Sequence, residues 1–231
     1  MSKKTEFMTF FDGEIDIKIQ GETIKKTHEY KLVGIIIDDK LSWIPHFTKV
    51  HAKLRTTVGM LYRSNRKLPA KAKTLIYHSL FRPYLTYGLA HYADLNRKEI
   101  NKLQTLQDKA LKVTFDQKSK DDLETYRKKF KILTVDDEVI LARIQLAATI
   151  ADPSAPRNIR TLLSQTTQRT TRHNEGINFE LPKWKKTGER RTSTYMIPYT
   201  YNALHSSTKE LPLHRMTRHV KNSLLGLSQS E

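Results

Sequence analysis

At Trp43 the spacing of apolar residues changes, and no single kind of secondary structure fits both sides of that point. Before it, Ile15, Ile17 and Ile19 alternate with polar residues, the pattern of a strand with one buried face. After it, Ile44, Phe47, Val50, Leu54, Val58 and Leu61 recur every three or four residues, the pattern of an amphipathic helix. The chain is therefore expected to be α+β: a small antiparallel sheet followed by a mainly helical bundle. Residues 6–11 and 14–19 flank Asp12-Gly13, a strong hairpin signal. Residues 30–37 read as one mostly buried strand, closed by Asp38-Asp39.

The helical part can be divided further. Pro69 suits the first turn of a second helix reaching about residue 93, with a kink at Pro83. Asn96 with Glu99 resembles a capping box before Ile100, Leu103, Leu106, Ala110, Leu111 and Val113. Ser119 with Asp122 starts a short helix carrying Leu123, Tyr126 and Phe130. Thr134 with Asp137 starts another through Ile140, Leu141, Ile144 and Ala148. Asp152-Pro153-Ser154-Ala155-Pro156 reads as a linker, and residues 164–194 as loop or partly disordered chain. A last helix is expected within 212–227, with Leu213, Met216, Val220 and Leu224 on one side. The divisions this suggests are 1–39, 40–117, 118–154 and a basic region, 155–231. No internal repeat is visible.

Charge separates the same regions. Over 231 residues, 41 Lys and Arg stand against 24 Asp and Glu, a net of +17. Residues 40–93 hold 10 basic side chains and no acid, whereas residues 1–39 have a net of −2. Residues 94–154 are nearly balanced at +1, and residues 155–231 carry +8. A solvated helix face ordinarily mixes both signs, so the acid-free block points to a polyphosphate partner contacted without regard to sequence. The best candidates are Lys49, Lys53, Arg63 and Lys67, read as one helix stripe, with Lys71 and Lys73 extending it. Lys183, Lys185, Lys186, Arg190 and Arg191 form a second cluster, read as a nucleic-acid contact or, alternatively, a nuclear-localisation-like run. Tyr62, Tyr77, Tyr84 and Tyr87 are able to stack on bases or sugars; Tyr84 and Tyr87 are expected in the core.

Other chemistries are excluded or weak. The chain has no cysteine, so it has no disulfide and no thiolate zinc site. There is no Gly-rich phosphate loop, and the nine histidines read mostly as surface or duplex-facing groups. No apolar run reaches the roughly 18 residues of a spanning helix. The basic face also lacks an adjoining exposed Trp/Phe/Leu face, which speaks against a membrane-surface role. The first residues show no secretory apolar region, so a cytoplasmic or nuclear setting is expected. No small-molecule substrate is implied.

A series of short elements from residue 31 to residue 112 resembles non-LTR (LINE-type, jockey-like) retrotransposon reverse transcriptases, in the region after their catalytic box. They are Lys31-Leu32-Val33-Gly34, Ile37-Asp38, Leu41-Ser42-Trp43-Ile44-Pro45-His46, Leu68-Pro69 and Leu75-Ile76-Tyr77-His78-Ser79-Leu80. Pro83-Tyr84-Leu85-Thr86-Tyr87-Gly88 and Leu106-Gln107-Asp108-Lys109-Ala110-Leu111-Lys112 complete the order. Leu32, Val33 and Lys112 depart from the usual aromatic, Leu and Arg without changing charge or burial much. Lys4-Thr5-Glu6-Phe7 and, more weakly, Arg191-Thr192-Ser193 with residues 197–204 fit the same reading frames.

That resemblance implies an RNA-directed DNA polymerase, with residues 1–39 the last strands of the palm and residues 41–115 the helical thumb that holds template–primer RNA and DNA. Lys31 and Gly34 would lie near the primer grip. The Mg²⁺-holding aromatic-Ala-Asp-Asp box of the complete polymerase would precede Lys4, so this chain is expected to carry no catalytic residue, no metal and no cofactor. Two acidic sites imitate it. Asp38-Asp39 reads better as a polar turn, and Tyr92-Ala93-Asp94 has Leu95 where the second Asp belongs. A domesticated or decayed non-enzymatic nucleic-acid binder derived from such an element is the alternative.

Overall fold

The computed structural model describes residues 5–11, 13, 15–64, 67–93, 97–116, 120–166, 177–183 and 192–227, with only the backbone of 120–122. The architecture is α+β and mainly helical. Short strands come first: β1 Glu6–Phe7, β2 Lys18–Ile19, β3 Glu22–Thr23, β4 Lys25–Lys26, β5 Glu29–Leu32 and β6 Ile35–Asp38. They form two-stranded sheets: β1 pairs parallel with β4, while β2–β3 and β5–β6 are antiparallel hairpins.

The strands differ from the sequence expectation in register and burial. The early hairpin turns at Gln20-Gly21, both at positive φ (52° and 82°), the backbone a two-residue primed turn requires. Asp12 and Glu14 lie outside the described residues. Ile15 and Ile19 are exposed, so the predicted buried face is not formed. Residues 30–37 are not one strand, because the chain reverses at Val33-Gly34, with φ of 47° and 89°. Tyr30, Leu32 and Val33 are consequently exposed.

Helix α1, Ile44–Ser64, buries Phe47, Val50, Leu54 and Leu61 of the apolar stripe, while Ile44 is exposed. The second helical segment is less regular. It runs through α2 Ala70–Ile76, a π turn at Tyr77–Phe81 and α3 Arg82–Thr86. Pro83 has no N–H to give and its ring would press on the carbonyl one turn back; widening that turn relieves both. The predicted kink is thus a π turn just before the proline. At Gly88, with φ of 70°, the path breaks before α4 Leu89–Tyr92.

Then follow α5 Arg97–Phe115, α6 Lys120–Phe130 and α7 Val135–Ala151. The Thr134 hydroxyl accepts from the Asp137 amide at 3.2 Å, the predicted cap of α7. The capping residue proposed for α5, Asn96, lies outside the described residues. Short α8 Arg157–Arg160, α9 Ser193–Asn202, short α10 Ser206–Lys209 and α11 Leu213–Leu224 complete the described chain.

Two apolar clusters form among the described residues. The first joins α1, α2–α5, α6 and the start of α7 around Leu54, Leu61, Phe81, Leu85 and Leu103. The second joins the rest of α7 with Phe179, α9 and α11. Phe179 falls in the stretch expected to be loop, yet it is buried, and Asn202 holds its backbone N–H and carbonyl at 2.9 and 2.8 Å.

Candidate nucleic-acid interface

The hairpin β5–β6 is fastened onto α1 by polar groups. Both oxygens of the Asp38 carboxylate accept backbone amides, from Ser42 and Trp43, each at 2.9 Å. These bonds hold a strained entry to α1, where Leu41 and Trp43 are left-handed at φ 50° and 60°. Burial alone would raise the Asp38 carboxyl, but the hydrogen bonds from Ser42 and Trp43 outweigh it and hold the group below its ordinary 3.8. Asp39 engages His28 at 2.7 Å. Asp38-Asp39 is therefore a turn that starts a helix. Among the described residues no three His, Cys, Asp or Glu side chains gather to hold a metal. Asp94 lies outside the described residues, and Tyr92 before it is buried with its hydroxyl donating to Leu85 at 2.8 Å.

His46 is the second fastening. The histidines read mostly as surface or duplex-facing groups, but His46 points inward and is buried. Its Nδ1 accepts the Ile36 amide at 3.3 Å, and its ring meets Tyr92 edge-on at 5.0 Å. Burial lowers the imidazole, and Lys49 adds to this, which agrees with Nδ1 serving as an acceptor. Tyr87 supplies the third fastening by donating its hydroxyl to the Val33 carbonyl. Gly88 lets α4 approach the hairpin, since a Cβ there would meet Ile35 Cδ1 at 2.9 Å.

These fastenings leave a groove of about 750 Å³ between hairpin and helices, lined by Lys31, Gly34, Lys49, Lys53, Tyr84 and Tyr87 among others. Lys49 and Lys53 sit one turn apart on the same flank of α1, and Lys53 Nζ lies 5.2 Å from the centre of the Tyr84 ring. Lys31, Lys49, Lys53, Arg63, Lys67 and Lys71 are all exposed, and none forms an ion pair among the described residues.

Several expectations need correction. Lys73 is not a surface contact. It is buried and donates to Asp116 at 2.9 Å and to the Val113 carbonyl at 3.2 Å, closing the C-terminal end of α5. Lys67 is exposed but lies beyond Ser64, where α1 ends, so it leaves the stripe of Lys49, Lys53 and Arg63. Tyr84 and Tyr87 are exposed rather than core, while Tyr77 is buried and bonded to Gln107 at 3.1 Å. The acid-free block is also not wholly free. Besides Lys73, Arg82 is taken by Glu138, at 2.8 and 3.2 Å. Lys183 is exposed; Lys185, Lys186, Arg190 and Arg191 lie outside the described residues.

Among curated proteins, part of the chain is similar to the RNA-directed DNA polymerase from mobile element jockey. The one from Drosophila funebris is 32% identical over 99 residues, which is 42% of this chain and 11% of the relative. The one from Drosophila melanogaster is 33% identical over 99 residues, with the same shares. The retrovirus-related Pol polyprotein from type-1 retrotransposable element R1 of Bradysia coprophila is 32% identical over 75 residues, 31% of this chain and 8% of the relative. Its homologues are non-LTR retrotransposon polymerases. The chain spans about a tenth of the length of the curated relatives it matches, at 11% and 8%. No protein-family model matches the sequence, and no solved structure matches the fold.

The elements that resemble the retrotransposon polymerases have physical roles here. In the Leu-x-Trp-x-x-His element, Trp43 receives the Asp38 cap and His46 holds the hairpin. In Pro83-Tyr84-Leu85-Thr86-Tyr87-Gly88, the proline sets the π turn, Leu85 enters the core, and Tyr87 with Gly88 grips the hairpin tip. In the last element Leu106, Ala110 and Leu111 face the core. Gln107 bonds both Tyr77 and the Leu133 carbonyl, and Asp108 pairs with buried Arg127 at 2.6 Å.

Proposed function

We propose that this chain forms the carboxy-terminal, template–primer-holding part of an RNA-directed DNA polymerase of a non-LTR retrotransposon, and that by itself it binds primed nucleic acid without extending it. One observation carries this reading: Lys49, Lys53 and Arg63 share an exposed flank of α1 with no acid opposite them, and the first two face Lys31 across the hairpin groove. Unpaired cations along a rigid helix suit phosphate contacts, which position a duplex without reading its sequence. Residues 41–115 then serve as the thumb, and Lys31 and Gly34 belong to a primer-grip-like hairpin. Extension needs Mg²⁺-holding carboxylates, and Asp38 and Asp39 are committed to the turn.

Binding of the full chain to a primed RNA–DNA duplex should weaken linearly in log salt. Changing Lys49→Ala and Lys53→Ala together should make the slope shallower by roughly one unit per lost contact, about two in all. An unchanged slope moves the duplex elsewhere. Incubation with primed template, Mg²⁺ and deoxynucleotides should give no extension, and robust incorporation would overturn the non-extending reading.

A further inference from the structure

A second cleft, of about 740 Å³, runs between α1 and α5 on the other flank of α1. At about 100° per residue, Arg55 and Tyr62 lie away from Lys49 and Lys53, so this cleft and the hairpin groove share no lining residue. Its cations are Arg55 from α1 and Lys102, Lys109 and Lys112 from α5; Lys102 pairs with Glu99, and the other three form no ion pair among the described residues. The acids of α5 do not neutralise them: Glu99 is bonded to Lys102 at 2.8 Å, and Asp108 to Arg127 at 2.6 Å. Burial lowers the imidazole of His51 in the same cleft, and the positive charges of Lys102 and Arg55 lower it further.

Charge is half of the pattern. Val58, Leu106 and Val113 supply apolar surface between the cations. Tyr62 stands in the cleft 73% exposed. Gly59 leaves the α1 wall without a side chain, and a Cβ there would meet nothing within 4 Å. A duplex keeps its base faces inside its own stack and would leave this surface unused. A single strand presents phosphates and bare base faces together, and cations combined with an exposed aromatic ring answer both.

We propose that the α1/α5 cleft binds a single-stranded polynucleotide segment, with its phosphates on Arg55, Lys109 and Lys112 and a base stacked on Tyr62. This site lies beyond the duplex-holding groove and does not depend on it. The test uses the full chain, a labelled single-stranded oligomer of about ten nucleotides in RNA and DNA forms, and the primed duplex as comparison. Both oligomers are expected to bind, because phosphates and base faces are common to them; binding by neither overturns the site. The variant R55Q/K109Q/K112Q should weaken single-strand binding and make its salt slope shallower by about two units, at roughly 0.7 per lost phosphate contact. It should leave duplex binding unchanged. Tyr62→Leu should weaken single-strand binding about fivefold or more with the salt slope unchanged. All four side chains are solvent-accessible, and an unaltered melting temperature confirms the fold is intact. Unchanged single-strand affinity and slope in the triple variant, or an equal loss for duplex and single strand, overturns the proposal. A chain that binds the single strand but not the duplex keeps this site and removes the hairpin-groove reading instead.

Discussion

The strand region and the helical bundle are held together by different means. In the bundle, Leu54, Leu61, Phe81, Leu85, Leu89 and Leu103 have no exposure at all, and side chains from four or more helical segments interlock. Before Asp38, Ile24 is the one buried apolar side chain among the described residues, while Phe10, Phe11, Ile15, Ile19, Leu32 and Val33 are exposed. What places β5–β6 is a set of directed polar contacts: Asp38 to the amides before α1, His46 to Ile36, Tyr87 to Val33. Apolar packing is strong and nearly indifferent to pH; polar fastening is weaker, local and titratable. The basic groove lies where the two regimes meet, so the core orders one wall and hydrogen bonds order the other.

That contrast is open to attack at three levels. Leu103→Ala removes the centre of the bundle and should cost about 2–5 kcal/mol, read as a lower urea midpoint; a loss under about 1 kcal/mol would mean the cluster is loosely packed. Asp38→Ala removes two charge-assisted bonds and should cost about 2 kcal/mol, with faster amide exchange at Ser42 and Trp43. The Asp38 carboxyl is held below 3.8 in the folded chain, so its contribution is present above the unfolded value and fades as pH falls through the folded one. The stability gap between parent and Asp38→Ala should therefore close in acid, and a gap that persists at pH 2 would show that the carboxylate charge is not what matters. Ile19→Ser changes an exposed strand residue and should stay within about 0.5 kcal/mol; a larger loss would reveal apolar packing in the strand region.

Much of the helical fold was legible because apolar spacing and capping residues are local. The stripe of α1, the Thr134 cap of α7 and the last helix all follow from residues within a few positions of each other. Other features depend on conformation or distance. Gly34 marks a turn in residues 30–37, but the reversal also needs positive φ at Val33, which a β-branched residue does not advertise. The π turn at Tyr77–Phe81 adds a residue to one turn and rotates α3 after it, so that Leu85 and not Tyr84 faces the core, while Tyr87 lies past the end of α3 in extended conformation. Lys73 looks like any surface lysine until Asp116, 43 residues later, is brought beside it. Of the candidate interface, the α1 cations were visible and the opposing walls were not. The α1/α5 cleft was hidden by the near-neutral total of residues 94–154, because a total does not say that Glu99 and Asp108 are bonded to Lys102 and Arg127 and not to Lys109 or Lys112.

Helix α7 belongs to both apolar clusters. Val135 and Val139 enter the first, while Leu141, Ile144, Ala147 and Ile150 enter the second. A rod clad in hydrocarbon on both sides is a party wall, and neither neighbour can be demolished without exposing the other. Whatever ligand steadies the basic helices will therefore also raise the temperature at which α9 and α11 come apart, although it never touches them.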